Sequence, residues 1–445
     1  MTLRLILVRH GMSTFNKDGR IQGRNDLSVL TDEGKLQAKE AGKTLASIPI
    51  MEVYSSPLKR AAETTKIILN NHSDNLTPIY TNDLLEVDLG PWSGLTKEEI
   101  KRDFPSSVMT WEKEPKELII TKSDGSSFKP IQELLFQASI FLEKIFNEHS
   151  PSEENTVLVV AHNAILRCIL LKLLNEPQNG FRRIKLDNSS ISIVNISPNK
   201  NNIKEQKLQI ECLNSTAHLS KKIPRKGSNS RVILVRHGET NWNKQGKFQG
   251  QIDIPLNETG KKQASAAGSF LKDIPIQKAF SSSMQRPFET AQIILESHNK
   301  IKIMRQGDLV EIGHGLWEGK LEAEIASKWP KLLELWKEHP EQAQMPQGEN
   351  IQEVWDRSIS CWEEICKNLE PTETALIVAH DAVNKTILCH LMGLKASDIW
   401  MIKQGNGGIT VIDISNEEDQ PDLITCLNIT SHLGSILDKT AAGAL

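Results

Sequence analysis

Two arginines, two histidines and one glutamate occur twice along this chain of 445 residues, in the same order and at nearly the same spacing. The first set is Arg9, His10, Arg60, Glu86 and His162; the second is Arg236, His237, Arg286, Glu311 and His380. Guanidinium forks grip phosphoryl oxygens, and a carboxylic acid can protonate the oxygen that leaves. A neutral imidazole attacks phosphorus when its other nitrogen is tied to a carbonyl, forming a covalent phosphohistidine that water then resolves. Together these residue types point to phosphoryl transfer. Enzymes accelerate phosphate-monoester hydrolysis by up to ~10^21, whereas one general acid supplies about 10^2–10^4, so the cationic cradle must carry most of the effect.

Each of these groups needs an element to aim it. Apolar runs ending at Val8 and Val235 stop abruptly in Arg-His-Gly, as expected of strands buried on both faces that present side chains at their C-terminal ends, where open parallel sheets bind ligands. A second pair of apolar runs ends in His162 and His380. A lone histidine there is more often structural, but recurrence in both copies favours function. Arg60 and Arg286 follow hydroxyl-rich turns at the start of expected helices, where free backbone donors and the helix dipole suit an anion. Glu86 and Glu311 precede Gly-x-Trp-x-Gly turns, which makes them the general-acid candidates and marks Trp92 and Trp317 as packing residues. The 76 positions from Glu86 to His162 and the 69 from Glu311 to His380 diverge most. The second copy carries Gly348-Glu349 there and the first does not, so substrate preference is expected to differ at this point.

Length and repeat imply two domains, residues 1–219 and 231–440, joined by a linker over 220–230. Four cations in that linker come without interleaved aromatic residues for base stacking, and the formal net charge of -3 gives no reason to expect nucleic acid as partner. No apolar run approaches 18 residues, so no membrane span is expected. The first strand begins near Leu3 with no preceding signal, and the six cysteines form no CxxC pair, so reduced thiols and a cytoplasmic location are expected. The histidines show neither HxH nor HxxxH spacing, which argues against a metal. Nothing in the pattern fixes an oligomeric state.

The motif Arg-His-Gly-x-[Ser/Thr]-x-x-Asn, with the spaced arginine, glutamate and second histidine, resembles the histidine phosphatase (phosphoglycerate mutase-like) superfamily, twice over and across nearly the whole chain. The resemblance implies an α/β fold: two tandem three-layer α/β/α sandwich domains, each with a mostly parallel central sheet and no metal or other cofactor. It implies that His10 and His237 are the phosphorylated nucleophiles and that Glu86 and Glu311 are proton donors. Arg9, Arg60 and His162, with Arg236, Arg286 and His380, would form the phosphate pocket, and Asn16, Gln22, Asn243 and Gln249 match positions near its mouth. The tandem layout, with Arg20 to Gly23 in the first loop, is similar to members acting on 2-carboxy-D-arabinitol 1-phosphate, which implies a small phosphorylated sugar or sugar acid as partner. Mutase-type phosphotransfer, or one domain that binds without turnover, stays open. Met12, Asn163 and Asp381 depart from the usual family residues.

Overall fold

The computed structural model describes residues 2–73, 75–122, 124–149, 155–198, 206–298, 300–417 and 420–440. The chain divides into two compact units, Met1–Pro224 and Arg225–Leu445. The boundary falls inside the segment expected as a linker, but that segment is not uniformly solvated. Ile223 is buried, and Lys226 Nζ donates to the Glu373 carbonyl (2.9 Å) and to Thr374 Oγ1 (3.1 Å), so part of it is fastened to the second unit.

In the first unit the strand order is Ile79–Tyr80, Glu52–Ser55, Asn155–Ala161, Leu3–Arg9, Ile191–Pro198 and Gln206–Ser215. The first four strands are parallel, Ile191–Pro198 pairs antiparallel with Leu3–Arg9, and Gln206–Ser215 pairs antiparallel with Ile191–Pro198. The second unit repeats this order with Ile303–Gln306, Lys278–Ser282, Thr374–Ala379, Ser230–Arg236, Ile409–Ile414 and Leu423–Ile429. Leu5, Ile6, Val8 and Val157 to Val160, like Val232 to Val235 and Ala375 to Val378, are wholly buried, as unbroken apolar runs in a sheet covered on both faces must be. Helices Asp32–Leu45 and Lys59–Leu69 pack together in the first unit, as do Pro130–Glu148 and Asn163–Leu173. Their counterparts Glu258–Leu271 with Gln285–Leu295, and Ile351–Lys367 with Asp381–Met392, complete the second three-layer sandwich.

Register is what matters for chemistry. Arg9 lies opposite Ala161 and Arg236 opposite Ala379 on neighbouring parallel strands, so the residue that follows on each strand is a histidine and the two leave the sheet side by side. The backbone amides of His10 and His237 still donate to the Ala161 and Ala379 carbonyls, at 2.9 and 3.0 Å.

The turn after the first histidine closes against the next helix at backbone contact. A Cβ on Gly34 would run into the Met12 carbonyl, and one on Gly260 into that of Glu239. Gly260→Ala is therefore expected to cost about 1–3 kcal/mol of stability through overpacking, read from the denaturant midpoint of the full chain. An unchanged midpoint would show that this contact yields freely. No helix among the described residues is long and apolar enough to cross a membrane.

Candidate active site

The first histidine of each pair is held by its own turn. His10 Nδ1 donates to the Gly11 carbonyl at 2.8 Å, and His237 Nδ1 to that of Gly238 at 2.7 Å, so the unprotonated nitrogen of the neutral ring is Nε2. Burial, and then the nearby arginines, push both imidazoles well below the ordinary histidine range. In the second unit Arg286 Nε donates to His237 Nε2 at 3.4 Å, which requires that nitrogen to carry a lone pair. The second histidine of each pair stands beside the first, ring centroids 5.1 Å apart in both units. Its Nε2 meets a serine hydroxyl from the adjacent strand end, Ser56 at 2.7 Å for His162 and Ser282 at 2.9 Å for His380. The hydroxyls of the Ser-Ser turn thus serve the histidine as well as the loop.

Arg60 and Arg286 enter from the first turn of their helices and are wholly buried. Arg60 donates to the carbonyls of Gly23 (2.8 Å) and Asn25 (2.9 Å), and Arg286 to those of Gly250 (2.8 Å) and Ile252 (3.2 Å). Desolvation lowers the guanidinium pKa of each to about 10, which still leaves them cationic at neutral pH. Arg9 is held by the Leu186 carbonyl (2.7 Å) and Arg236 by that of Gln404 (2.6 Å). The Nε atoms of Arg9, Arg60 and Arg236 and the Nδ1 atoms of His162 and His380 are buried with no hydrogen-bond partner. A phosphoryl group would satisfy such a concentration of donors.

Glu86 and Glu311 each grip the start of the helix that follows the second histidine. Glu86 accepts from the amides of Ala164 (3.1 Å) and Ile165 (3.3 Å), and Glu311 from those of Asp381 (3.0 Å) and Ala382 (3.2 Å). Burial and then the Asp381 charge raise the Glu311 pKa above the usual carboxylate value, against the pull of Arg286 and Arg236. Asn163 replaces Asp381 in the first unit.

Asn16 and Asn243 close capping boxes with Ser13 and Thr240, and Gln22 and Gln249 bond to those same hydroxyls at 2.9 and 3.0 Å. These four side chains therefore shape the turn beside the nucleophile candidate. Trp92 and Trp317 are buried, at 2% and 0% exposure. All six cysteines are free.

Burial and then the neighbouring arginines hold His162 and His380 well below the ordinary histidine range, so the second rings are favoured neutral and would serve the phosphoryl group as hydrogen-bonding partners rather than as cations. Sequence reading missed several supports. Thr64 and Thr290 receive the Gly11 and Gly238 amides at 3.1 Å, and Asn188 and Asn406 donate to the His10 and His237 carbonyls at 3.0 Å. Their constant offsets from a motif residue, four after the helix arginine and 26 after the second histidine, were the signal available.

The family model described as "Histidine phosphatase superfamily (branch 1)" matches residues 5–209 and again 232–426. The chain belongs to this superfamily. A wheat (Triticum aestivum) protein named 2-carboxy-D-arabinitol-1-phosphatase is 28% identical over 97% of this chain and 86% of its own length. Phosphoserine phosphatase 1 of Hydrogenobacter thermophilus is 33% identical over 46% of this chain and 94% of its own. Among solved structures, YhfR of Bacillus stearothermophilus superimposes with a TM-score of 0.43 at 28% identity, covering 46% of this chain and 99% of that one. The histidine phosphatase described here is a phosphoric monoester hydrolase acting on small phosphorylated compounds.

Proposed function

We propose that both halves cleave the phosphate ester of a small sugar or sugar acid, with His10 and His237 as nucleophiles. The observation that carries this reading is the repeated Nδ1 bond to the next residue's carbonyl, 2.8 and 2.7 Å, which leaves Nε2 as the attacking atom. Nε2 displaces the alcohol from phosphorus, the alcohol oxygen takes a proton from Glu86 or Glu311, and the resulting phosphohistidine is hydrolysed by water that the same carboxylate deprotonates. Arg9, Arg60 and His162, or Arg236, Arg286 and His380, hold the equatorial oxygens. Asn16, Gln22, Asn243 and Gln249 keep the turn at the mouth in shape. A small phosphorylated metabolite as substrate, together with free thiols, suits a cytoplasmic enzyme.

Similarity to the wheat relative along almost the full chain supports 2-carboxy-D-arabinitol 1-phosphate as the first substrate to test. A screen of the full-length protein on phosphorylated sugars and sugar acids, with this ester among them, is expected to find it among the best substrates. Release of phosphate from none of them would reject the reading.

Proton donation by Glu311 requires its acid form, and its raised pKa keeps that form available to higher pH. Asp381→Asn removes the neighbouring negative charge, so the Glu311 pKa falls. In a His10→Ala background, the alkaline limb of kcat/KM for the second site should then move to lower pH. A limb that stays in place, or moves up, would exclude Glu311 as the titrating acid.

A further inference from the structure

Both sites fasten the segment bearing the glutamate by its backbone carbonyls, but they place the fastening cation differently. In the second unit Arg357, on the helix Ile351–Lys367, donates to the carbonyls of Asp308 (2.8 Å), Val310 (2.6 Å) and Glu311 (3.1 Å). Glu349 closes the same guanidinium in a two-point pair, 2.8 Å from Nε and 3.0 Å from Nη2. Gln251 completes the network, donating to the Glu311 carbonyl at 3.1 Å and to Glu349 Oε2 at 3.2 Å. The cation there is neutralised within the protein.

In the first unit the matched run Ile131 to Gln137 puts Gln137 where Arg357 stands, and it donates to the carbonyls of Asp83 (3.0 Å) and Leu85 (2.8 Å). The positive charge has moved across to the loop, onto Arg24, where the second unit has Gln251. Arg24 Nε donates to the Glu86 carbonyl and Nη2 to Gln137 Oε1, both at 3.0 Å. Arg24 is exposed and makes no ion pair among the described residues. Lys129 stands at the sequence position of Glu349 and is itself paired with Glu117 at 2.6 Å. The carboxylate of Glu86 is occupied by the amides of Ala164 and Ile165. Arg24 also directly follows Gly23, whose carbonyl holds Arg60. An anchored guanidinium without a counter-ion among the described residues therefore sits on the loop whose carbonyls hold Arg60, bonded to the acid-bearing segment.

We propose that Arg24 determines specificity in the first site by recognising a carboxylate on the organic part of the phosphate ester, a contact the second site lacks because Gln251 and the Arg357–Glu349 pair replace it. The inference rests on the reading of the two halves as phosphatase sites and gives them different substrates. The first takes phosphorylated acids, and the second takes phosphate esters whose remainder is uncharged. A hydrogen bond to a charged group changes affinity by about 10- to 100-fold.

The test uses the full chain and two esters that differ only in carboxylate against hydroxymethyl, 3-phosphoglycerate and glycerol 3-phosphate. With His237→Ala silencing the second site, the ratio of kcat/KM for the two esters should favour 3-phosphoglycerate. Arg24→Gln should lower that ratio about 10- to 100-fold, and Arg24→Lys should restore part of it. With His10→Ala silencing the first site, the preference should be absent. Arg24→Gln slowing both esters by one common factor would assign Arg24 to holding the Glu86 segment and overturn the proposal. A His237→Ala protein that cleaves neither ester, beside a His10→Ala protein that cleaves them, would overturn it too while leaving the phosphatase reading of the second half intact. Loss of all turnover in each single variant would strike at that reading instead.

Discussion

Replacing His10 and His237 together by alanine is expected to lower kcat by about 10^4-fold or more, while each single replacement removes only the share carried by its own half. The size of the effect follows from what remains. Without Nε2 there is no group to form the phosphoramidate, and His162 and His380 do not substitute, because their Nε2 atoms are engaged by Ser56 and Ser282. The arginines would still bind phosphate, so binding of inorganic phosphate or vanadate should survive in the double variant. Intact protein quenched during turnover with 32P-labelled substrate should yield an acid-labile, base-stable phosphoramidate on one or both of the two histidines. Activity retained in the double variant would sink the mechanism, as would turnover with no label on either ring.

The grouping of the candidate site residues was legible in the sequence because each member stands at a strand or helix end within a repeated register. Arg9-His10 and Arg236-His237 end unbroken apolar runs, and sheet register then brings His162 and His380 beside them without further information. The parallel core was legible for the same reason: Leu5 to Val8 and Val157 to Val160 are apolar at every position rather than at alternate ones. Contacts made to main-chain atoms were not legible. Glu86 and Glu311 bind the amides that open a helix, and any residue at those positions would supply the same amide. The Arg24–Gln137 and Gln251–Arg357–Glu349 arrangements bond mostly to carbonyls, so moving the cation from a helix to a loop leaves no motif. Neutrality of the second histidines was hidden as well, since it arises from burial beside arginines that are distant in sequence. The linker composition of residues 220–230 likewise gave no sign that Lys226 finds two carbonyls and a hydroxyl.

In the proposed mechanism the helix-opening glutamate makes catalysis and local folding share a residue. There Glu311 acts as acid or base only by loosening its bonds to the Asp381 and Ala382 amides, which ties its proton transfers to the start of the helix Asp381–Met392. Glu311→Gln keeps an acceptor for one amide and loses the proton chemistry, which makes it the cleaner probe of the acid than alanine.

Arg286→Lys is expected to reduce kcat/KM of the second site by about 10^3-fold, at least as much as Glu311→Gln, although the charge is kept. A general acid contributes about 10^2–10^4. A buried guanidinium acts where charge accumulates on the transferred phosphoryl group, in surroundings that screen it poorly. Arg286 is wholly buried and spends its fork on three tasks: it grips the carbonyls of Gly250 and Ile252 and donates through Nε to His237 Nε2. A lysine ammonium on a flexible stem is a point charge and cannot hold both carbonyls while facing the nucleophile. The loss should therefore appear in kcat as well as KM, because both the aim of the loop and the stabilisation of the transition state depend on the planar fork. Measured in a His10→Ala background against Glu311→Gln, an Arg286→Lys protein within about threefold of its parent would refute the claim that the cationic cradle outweighs the acid.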